Sequence, residues 1–399
     1  MDTLGSFVLD TGAGYLALDA SLARRLDLTD SIASEPVGLA DRPLARLAFG
    51  NWSQDRIQPV MTFDAGVARR VADRPVLGLL GQSLYRDRAV LIDYQGRRLA
   101  FMPSAPPGDS LADVELSRAA LGDALSERAA AIRFRLLGDG KVVVRAAVDG
   151  SEAASLTLIV DTGSSKTALF HGPLAAAAPQ SRHWRTIGGV TAPTLLGDAS
   201  ARIARVPRLL VVDARGVSRR SSGQATDGTP AGGSRGVGDA KGRTPGDAAE
   251  QRDVDAVVID GDLERVLSAD VGEPVHGLLG YSFLRHYRVT IDYPRRVLWL
   301  DPLPRETDDR PYEYCHVGLQ LERRESSVVV TGVLDGSPAE RAGIRVGDVL
   351  VALDDGTVAE RDLIETIRSL EGPPGSRVTL TLRRGAVETR YRLTRKRLL

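Results

Sequence analysis

Two stretches of this sequence repeat each other, and the repeat decides how the chain is organised. Residues 76–101 read VLGLLGQSLYRDRAVLIDYQGRRLAF, and residues 275–300 read VHGLLGYSFLRHYRVTIDYPRRVLWL. Aligned without gaps, 13 of the 26 positions are identical, including the whole of GLLG and of IDY. Self-similarity of this kind indicates that one structural unit occurs twice in the chain.

A second shared element lies upstream of each copy, in the same order. Residues 7–13 read FVLDTGA, and residues 158–164 read LIVDTGS. Each Asp-Thr-Gly follows three apolar residues, which is typical of a buried strand that ends in a glycine-containing turn. The sequence therefore predicts a duplicated domain that is mainly β.

Composition limits what the chain can do. Its 399 residues predict two to four domains at roughly 100–200 residues each. The 52 basic and 52 acidic residues balance, which argues against a nucleic-acid partner. A single cysteine excludes a disulfide framework, and the five histidines show no HExxH spacing, so we expect no metal and no cofactor. No apolar run is long enough to span a membrane.

The pattern along the chain predicts four parts. These are a first lobe over 1–108 that lacks N-terminal strands, a helical connection over 109–130, a second lobe over 131–304, and a compact α+β unit over 312–397. Inside the second lobe, residues 214–253 are rich in Gly, Ser, Arg, Asp and Ala and are predicted to be a disordered insertion, because they cannot form a core. A short helix is expected at 19–26, and a hairpin at 132–148.

Two further features of the sequence are interpreted as structural. Asp93 and Asp292 lie in the repeated Ile-Asp-Tyr next to arginines, which favours salt bridges or turn capping over catalysis. Cys315 has no His/Asn partner pattern, so we expect a small buried residue and not a nucleophile.

The paired Asp-Thr-Gly elements resemble those of the aspartic proteases, in particular the retropepsin-like kind, over about 10–101 and 132–300. The resemblance implies two acid-protease β-barrel lobes that form a single-chain pseudo-dimer. It implies catalytic roles for Asp10 and Asp161. The loop residues that it implies as support are Thr11, Gly12, Thr162, Gly163 and Ser164, with the two threonines bonding across to the opposite loop.

Paired carboxylates suit peptide hydrolysis for a physical reason. Two carboxylates about 3 Å apart cannot both ionise, so they share one proton and supply base and acid together. On this hypothesis the chain is an aspartic endopeptidase that activates a water molecule. The resemblance leads us to expect Ser or Thr at position 14, where this sequence has Gly14. The glycine lacks the hydroxyl that Ser or Thr would place next to the carboxylate. By position, 50–52 and Gly188-Gly189 would form flaps over the site, although Trp52 could equally be a core residue.

The C-terminal unit resembles a PDZ domain of the kind attached to bacterial envelope proteases. The residues that carry the resemblance are HVGL at 316–319, SPA at 337–339 with Ala342-Gly343, and VGDVL at 346–350. The resemblance implies that the N–H groups of Val317, Gly318 and Leu319 bind the C-terminal carboxylate of a peptide. The peptide would add as a strand beside 319–323, opposite a helix that carries Leu363, Ile364 and Ile367.

Two alternatives remain open at this stage. The chain could be a non-catalytic peptide-binding or scaffold protein that retains both folds, or a retropepsin-like chain that forms homodimers. The sequence begins without the basic and apolar regions of a signal peptide, whereas the resemblance implies a periplasmic or cell-envelope location if residues are missing upstream. The expected partners are a polypeptide substrate and peptide C-termini.

Overall fold

The computed structural model describes residues 4–29, 37–50, 52–66, 68–69, 75–104, 112–148, 156–194, 197–213, 248–304 and 311–399. Strands dominate these residues, so the expectation of a mainly β protein is confirmed. We divide them into a first β unit (residues 4–104), a second β unit (residues 112–304) and a C-terminal module (residues 311–399).

The described residues of the first β unit include nine strands and the helix α1. Five strands form a sheet in the order β1-β7-β2-β6-β3, and a separate hairpin consists of β4 and β5. The last two strands, β8 and β9, belong to a sheet that this unit shares with the second one. The elements are β1 (Ser6–Leu9), β2 (Leu16–Asp19), α1 (Ala20–Arg25), β3 (Val37–Leu39), β4 (Leu44–Phe49), β5 (Trp52–Ile57), β6 (Val60–Phe63), β7 (Val76–Leu80), β8 (Arg88–Asp93) and β9 (Arg98–Pro103). The predicted helix at 19–26 is confirmed as α1, because the Asp19 side chain caps its first turn.

The second β unit is larger and more completely closed. Its main sheet has the order β11-β12-β13-β18-β14-β17-β16-β15, and β12 also pairs with β16. The elements are α2 (Ala112–Leu121), β10 (Ala130–Arg133), β11 (Arg135–Leu136), β12 (Val142–Val148), β13 (Leu156–Val160), β14 (Thr167–Phe170), α3 (His171–Ala177), β15 (Arg185–Thr194), β16 (Gly197–Val212), β17 (Ala248–Ile259), α4 (Leu263–Val271), β18 (Gly277–Leu279), α5 (Tyr281–Leu284), β19 (Tyr287–Asp292) and β20 (Val297–Pro302).

The repeated Ile-Asp-Tyr strands pair with each other across the two units. β8 and β19 run antiparallel, with Val90 opposite Ile291 and Ile92 opposite Val289. They lie at the centre of a five-stranded sheet in the order β10-β20-β19-β8-β9, to which both units contribute. One hydrophobic core continues through both units, from Leu16 and Tyr85 to Leu158 and Phe283. The duplicated halves therefore share a sheet and a core.

The predicted disordered insertion is partly wrong. Residues 214–247 lie outside the described residues, but 248–253 belong to β17. There, Ala248 and Ala249 pair with Val212 and Val211 of β16, and Ala249 is buried. A regular ladder to a buried strand supplies the hydrogen bonds and the apolar contact that composition alone did not predict.

The C-terminal module has its own hydrophobic core, which includes Val317, Val330 and Leu380. Its main sheet has the order β22-β23-β24-β26-β27, so β22 is an edge strand. The elements are β21 (Cys315–His316), β22 (Leu319–Arg324), β23 (Ser327–Val333), α6 (Pro338–Arg341), β24 (Val349–Leu353), β25 (Gly356–Thr357), α7 (Leu363–Leu370), β26 (Arg377–Arg384), β27 (Val387–Thr394) and β28 (Lys396–Arg397).

Candidate functional site

The two Asp-Thr-Gly loops occupy equivalent positions at the ends of β1 and β13. The Asp10 N–H donates to the Leu80 carbonyl at 3.1 Å, and the Asp161 N–H donates to the Leu279 carbonyl at 3.0 Å. Both carbonyls belong to the repeated GLL strand, which pairs in parallel with the strand that leads into the loop. The repeat therefore builds the same support under each aspartate.

The two threonines hold the loops together. The Thr11 hydroxyl donates to the Val160 carbonyl at 2.8 Å, and the Thr162 hydroxyl donates to the Leu9 carbonyl at 2.7 Å. Each hydroxyl also accepts the other threonine's backbone N–H, at 3.0 and 3.1 Å. Thr11 is fully buried. Four reciprocal hydrogen bonds thus join segments that are about 150 residues apart in sequence.

This crossing brings the two carboxyl groups together. A Cβ atom added at Gly12 would lie 3.0 Å from the Asp161 carboxyl carbon, and one at Gly163 would lie 2.8 Å from that of Asp10. Each glycine therefore faces the opposite carboxylate, and a larger residue would displace it. Both aspartates keep some surface facing solvent, but desolvation by the surrounding protein is the largest influence on the pair. It raises the pKa of both carboxyl groups, and the Asp10 charge adds to the increase at Asp161.

The environment of the pair is not symmetric. The Asp10 carboxylate accepts the N–H groups of Gly12 and Ala13 at 2.8 and 3.0 Å, and Lys141 also stabilises its charge. The Asp161 carboxylate accepts the Gly163 N–H at 2.8 Å and is also stabilised by the Ser164 N–H. These hydrogen bonds and the Lys141 cation favour the ionised forms and oppose the desolvation that raises the pKa of both groups.

Gly14 has a steric role that the sequence analysis missed. A Cβ atom there would lie 2.8 Å from the Asp139 carbonyl oxygen, in the turn between β11 and β12. The same turn carries Lys141, whose ammonium pairs with the Asp139 carboxylate. Gly14 thus allows a hairpin of the second β unit to pack against the Asp10 loop, and a side chain at this position would exclude it.

Two residues of the first repeat support the Asp10 loop and were not predicted. The buried Gln82 amide donates to the Thr11 carbonyl, and the Tyr85 hydroxyl donates to the Asp10 carbonyl at 3.2 Å. The Tyr85 ring also contacts the ring of Tyr293, from the repeated Ile-Asp-Tyr, at 5.6 Å between centroids. The repeat gives no signal for them, because Tyr281 and Leu284 stand at the equivalent positions of the second copy.

Ser164 has a different place. Its hydroxyl donates to the Lys166 carbonyl at 2.7 Å, while the Lys166 ammonium binds Glu313 and the Tyr314 hydroxyl at 2.6 and 2.9 Å. A nucleophilic serine needs a base within hydrogen-bond distance of its hydroxyl. Ser164 and Lys166 are instead arranged to stiffen the Asp161 loop and to join it to the C-terminal module.

The two remaining aspartates of the repeat are structural, as expected. Asp292 is fully buried and accepts hydrogen bonds from the Ser104 and Ser117 hydroxyls, both at 2.6 Å, and from Arg295 at 3.1 Å. Asp93 accepts the Gly96 N–H at 2.8 Å in an exposed turn.

The positions proposed as flaps differ from each other. Trp52 is buried, and its ring stacks on that of Phe49 with 4.3 Å between centroids, so it belongs to the core. Gly188-Gly189 forms an irregularity in β15, between Ile187 and Val190, and contacts the C-terminal module. There the Asp335 N–H donates to the Gly188 carbonyl at 3.2 Å. A Cβ atom at Gly189 would overlap the Val333 carbonyl oxygen, so this backbone is held against the module.

The HVGL loop of the C-terminal module lies between β21 and β22. Gly318 has φ +90°, a conformation that favours glycine, and a Cβ atom there would overlap the Ser337 side chain. The Gly318 carbonyl accepts the Leu334 N–H at 2.9 Å, and the Val317 carbonyl accepts the Ala339 N–H at 2.9 Å. These bonds turn the carbonyls inward. The Gly318 N–H donates to the His316 Nδ1 at 3.0 Å.

An open strand edge and a helix follow this loop. β22 is the edge strand of its sheet, and α7 packs close to it. Leu363 is buried in the core, Ile367 is half-buried and Ile364 is exposed. Two of the three helix residues predicted to face a ligand therefore remain accessible, and Leu363 does not. Cys315 is buried beside the loop, and its burial raises the pKa of the thiol, in agreement with a structural role.

Two other kinds of feature are absent from the part of the chain that the structure describes. No group of three or more His, Cys, Asp and Glu side chains there could hold a metal ion. No helix among the described residues is long and apolar enough to cross a membrane.

Comparison with known proteins identifies the C-terminal module. Residues 329–384 match the PDZ domain family, so the predicted PDZ domain is confirmed. A probable CtpA-like serine protease of Staphylococcus aureus (strain bovine RF122 / ET3-1) is 30% identical over 86 residues, which are 22% of this chain and 17% of that protein. The chain therefore matches about a sixth of this relative's length.

Two solved structures share smaller likenesses. The photosystem II D1 C-terminal processing protease is 33% identical with a TM-score of 0.21, over 21% of this chain and 24% of that one. A retropepsin-like aspartic protease from Rickettsia conorii is 18% identical with a TM-score of 0.24, over 43% of this chain and 98% of that one. Both scores are low, so neither structure assigns a fold to the whole chain.

These relatives correct the predicted function. The sequence predicts an aspartic endopeptidase, whereas the matched curated proteins are described as probable serine proteases, which contradicts the two-aspartate endopeptidase. The shared 86 residues are close to the length of the PDZ-bearing module. What these relatives share with this chain is therefore a stretch about as long as its PDZ-bearing module.

Proposed function

We propose that this chain takes part in proteolysis and that its PDZ domain binds the C-terminal carboxylate of polypeptides. The observation that carries the proposal is the loop at 316–319, which lies at the start of an open edge strand. Its carbonyls are turned inward by hydrogen bonds to Leu334 and Ala339, so its N–H groups face the side where β22 can accept another strand. N–H groups at the end of an open strand edge suit a peptide that ends in a carboxylate.

The peptide would complete the sheet. Its backbone would pair with β22, and its last apolar side chain would lie against Ile367 of α7, which is half-buried. The matched family is one of PDZ domains, which supports this mode of recognition. Backbone pairing would supply affinity, and the apolar side chain would supply selectivity.

The test uses the full chain and a short fluorescent peptide that ends in valine, made both as the free acid and as the C-terminal amide. We expect the acid to bind at least tenfold more tightly, because amidation removes the charge that the N–H groups bind. Equal binding of the two peptides would overturn the proposal. Gly318→Val is a weaker test, because its side chain would overlap Ser337 and disrupt the loop.

For the chemistry of the β units, we propose hydrolysis of polypeptides, with Asp10 and Asp161 as the site residues. The relatives support the reaction class, since they are proteases. Support for the site residues comes from the crossed threonines, the two glycines that face the carboxyl groups, and the raised pKa of both.

The experiment must distinguish cleavage that depends on Asp10 and Asp161 from cleavage that depends on a serine. Cleavage of a casein substrate is measured for the unchanged chain, for Asp10→Asn and for Asp161→Asn, each with and without a serine-directed fluorophosphonate. Loss of cleavage in both variants, together with resistance to the reagent, supports the carboxyl pair. Cleavage that survives in both variants and disappears with the reagent would place the chemistry on a serine and overturn the site.

We infer, finally, that the two β units are retropepsin-like lobes in a single-chain pseudo-dimer. The crossed hydrogen bonds of Thr11 and Thr162 and the pairing of β8 with β19 relate the two repeats by an approximate twofold axis. An experimental structure in which the halves, superposed on their GLLG and IDY strands, failed to align their Asp-Thr-Gly loops would contradict this.

A further inference from the structure

We propose that His316 is an internal competitor for the carboxylate-binding loop, so that its protonation controls how tightly the PDZ domain binds a peptide C-terminus. The proposal rests on the proposed binding of C-termini and adds to it a residue that determines affinity. It begins from one contact, in which the Gly318 N–H donates to the His316 Nδ1 at 3.0 Å.

Gly318 is the middle residue of the loop, so its N–H lies at the centre of the proposed binding position. A backbone N–H can donate to one well-aligned acceptor at a time. In the structure that acceptor is the imidazole of the residue two positions earlier. A ligand carboxylate that approaches the loop must therefore displace the His316 ring before it can accept the Gly318 N–H.

The contact exists only for the neutral imidazole. Nδ1 accepts a hydrogen bond when it carries no proton, whereas both ring nitrogens are donors in the imidazolium. Protonation therefore breaks the contact and frees the Gly318 N–H. It also places a cationic donor next to the position of an anionic carboxylate, and hydrogen bonds between ions are about twice as strong as neutral ones.

The charged groups around His316 act on this equilibrium in known directions. The groups on the elements that pack against β21 are Lys396 and Arg397 of β28, Arg395 just before it, Glu340 and Arg341 of α6, Glu371 after α7, and Glu313 before the strand. Glu340 and Arg341 are engaged with Gly336, and Glu313 pairs with Lys166. Lys396 lies directly opposite His316 in the ladder and opposes protonation, whereas a bound carboxylate favours it.

The direction of the pH dependence follows. Imidazole ordinarily titrates near pH 6.5, well above a peptide carboxyl group, which stays ionised throughout this range. Affinity for a free-acid peptide should therefore increase as the pH falls from about 8 to about 5.5. Since the gain combines a released N–H with a new cationic donor, we expect a change of about tenfold in Kd, which corresponds to about 1.4 kcal/mol.

Two substitutions separate the contact from the charge. His316→Asn places an amide oxygen where Nδ1 stands, so it can accept the Gly318 N–H at every pH and should keep the low affinity without pH dependence. His316→Ala removes both the acceptor and the charge. It should bind more tightly than the unchanged chain at about pH 8 and should also show no pH dependence.

The experiment measures binding of the free-acid and amide peptides to the full chain and to both variants at about pH 5.5 and pH 8, with melting curves to show that each variant is folded. Tenfold tighter acid binding at the lower pH, absent in both variants, supports the proposal. A flat pH profile in the unchanged chain, or equal acid affinity of the Asn and Ala variants at pH 8, would overturn it. Equal binding of acid and amide peptides would instead overturn the binding of C-termini itself.

Discussion

The Asp10–Asp161 pair shows how residues of ordinary chemistry become unusual through their neighbours. Each carboxyl group faces a glycine of the opposite loop, and burial raises the pKa of both. A carboxyl group whose pKa is higher in the folded than in the unfolded state contributes most to stability at low pH. That contribution is lost as the pH rises from the unfolded toward the folded pKa. The pair therefore destabilises the fold at neutral pH.

Replacing Asp161 with asparagine should reverse this effect. The amide has the same shape and no charge, so at pH 7 we expect Asp161→Asn to increase the free energy of unfolding by about 1–3 kcal/mol, and near pH 4 by much less. Urea denaturation at the two pH values measures the difference. Asp198→Asn, on an exposed strand of the β15–β16 hairpin, is the matched control and should change little. A destabilised Asp161→Asn at pH 7 would contradict the account.

The Thr11 hydroxyl should contribute more to the free energy of unfolding than a typical buried hydroxyl does. Thr11→Val removes it without changing the size of the side chain, and leaves the Val160 carbonyl and the Thr162 N–H without their partner. Because both groups lie where the units meet, we expect a loss of about 2–4 kcal/mol, measured by denaturant unfolding. Thr11→Ser keeps the hydroxyl and should lose less than half as much. If the two variants were equally stable, the crossed bonds would not be holding the loops together.

At the scale of elements, strands β8 and β19 end in aspartates that occupy the same position in the repeat but have different surroundings. Asp292 is fully buried between Ser104, Ser117 and Arg295, whereas Asp93 caps an exposed turn. This difference follows from the sheet, because Asp292 lies beneath α2, which supplies Ser117, while Asp93 faces solvent.

The two positions therefore form a matched pair of variants. Asp292→Asn leaves the buried Arg295 guanidinium without its counter-charge and should cost about 3–5 kcal/mol. Asp93→Asn keeps an acceptor for the Gly96 N–H and should cost less than about 1 kcal/mol. Thermal unfolding of both variants checks the difference, and similar melting temperatures would show that the burial of Asp292 has no energetic consequence.

At the scale of the whole molecule, the PDZ domain is packed against the second β unit. The Gln320 side-chain amide of β22 accepts the Thr191 N–H at 2.9 Å and donates to the Thr191 carbonyl at 3.4 Å, and so joins the PDZ domain to β15. Tyr314 and Leu334 are buried in a core cluster of the second unit. Lys166, five residues after Asp161, binds Glu313 and Tyr314. Direct contacts thus connect the PDZ-bearing module to the loop that carries Asp161.

Gly189→Ala should release the PDZ domain from β15. Its Cβ would overlap the Val333 carbonyl oxygen, and φ +73° adds backbone strain. We expect faster hydrogen exchange at 185–191 and 331–335, with the core of each part unchanged. Gly197→Ala has a similar positive φ and nothing within 4 Å, so it reports the strain alone. Equal exchange in the two variants would mean that the contact at Gly189 does not hold the PDZ domain in place.

The sequence by itself determined the duplication, the strand that ends at each aspartate, and the PDZ domain, because each depends on local patterns of apolar residues and glycines. Only the tertiary structure revealed the reason for Gly14, the support from Gln82 and Tyr85, and the use of Gly188-Gly189 as a contact with the PDZ domain. These features depend on which distant backbone approaches a residue, as the Asp139 carbonyl approaches Gly14. The start of β17 at Ala248 was missed for the same reason, since a long ladder to β16 outweighs a composition that favours disorder. The His316 contact also needed the structure, because it requires the turn that Gly318 makes at φ +90°.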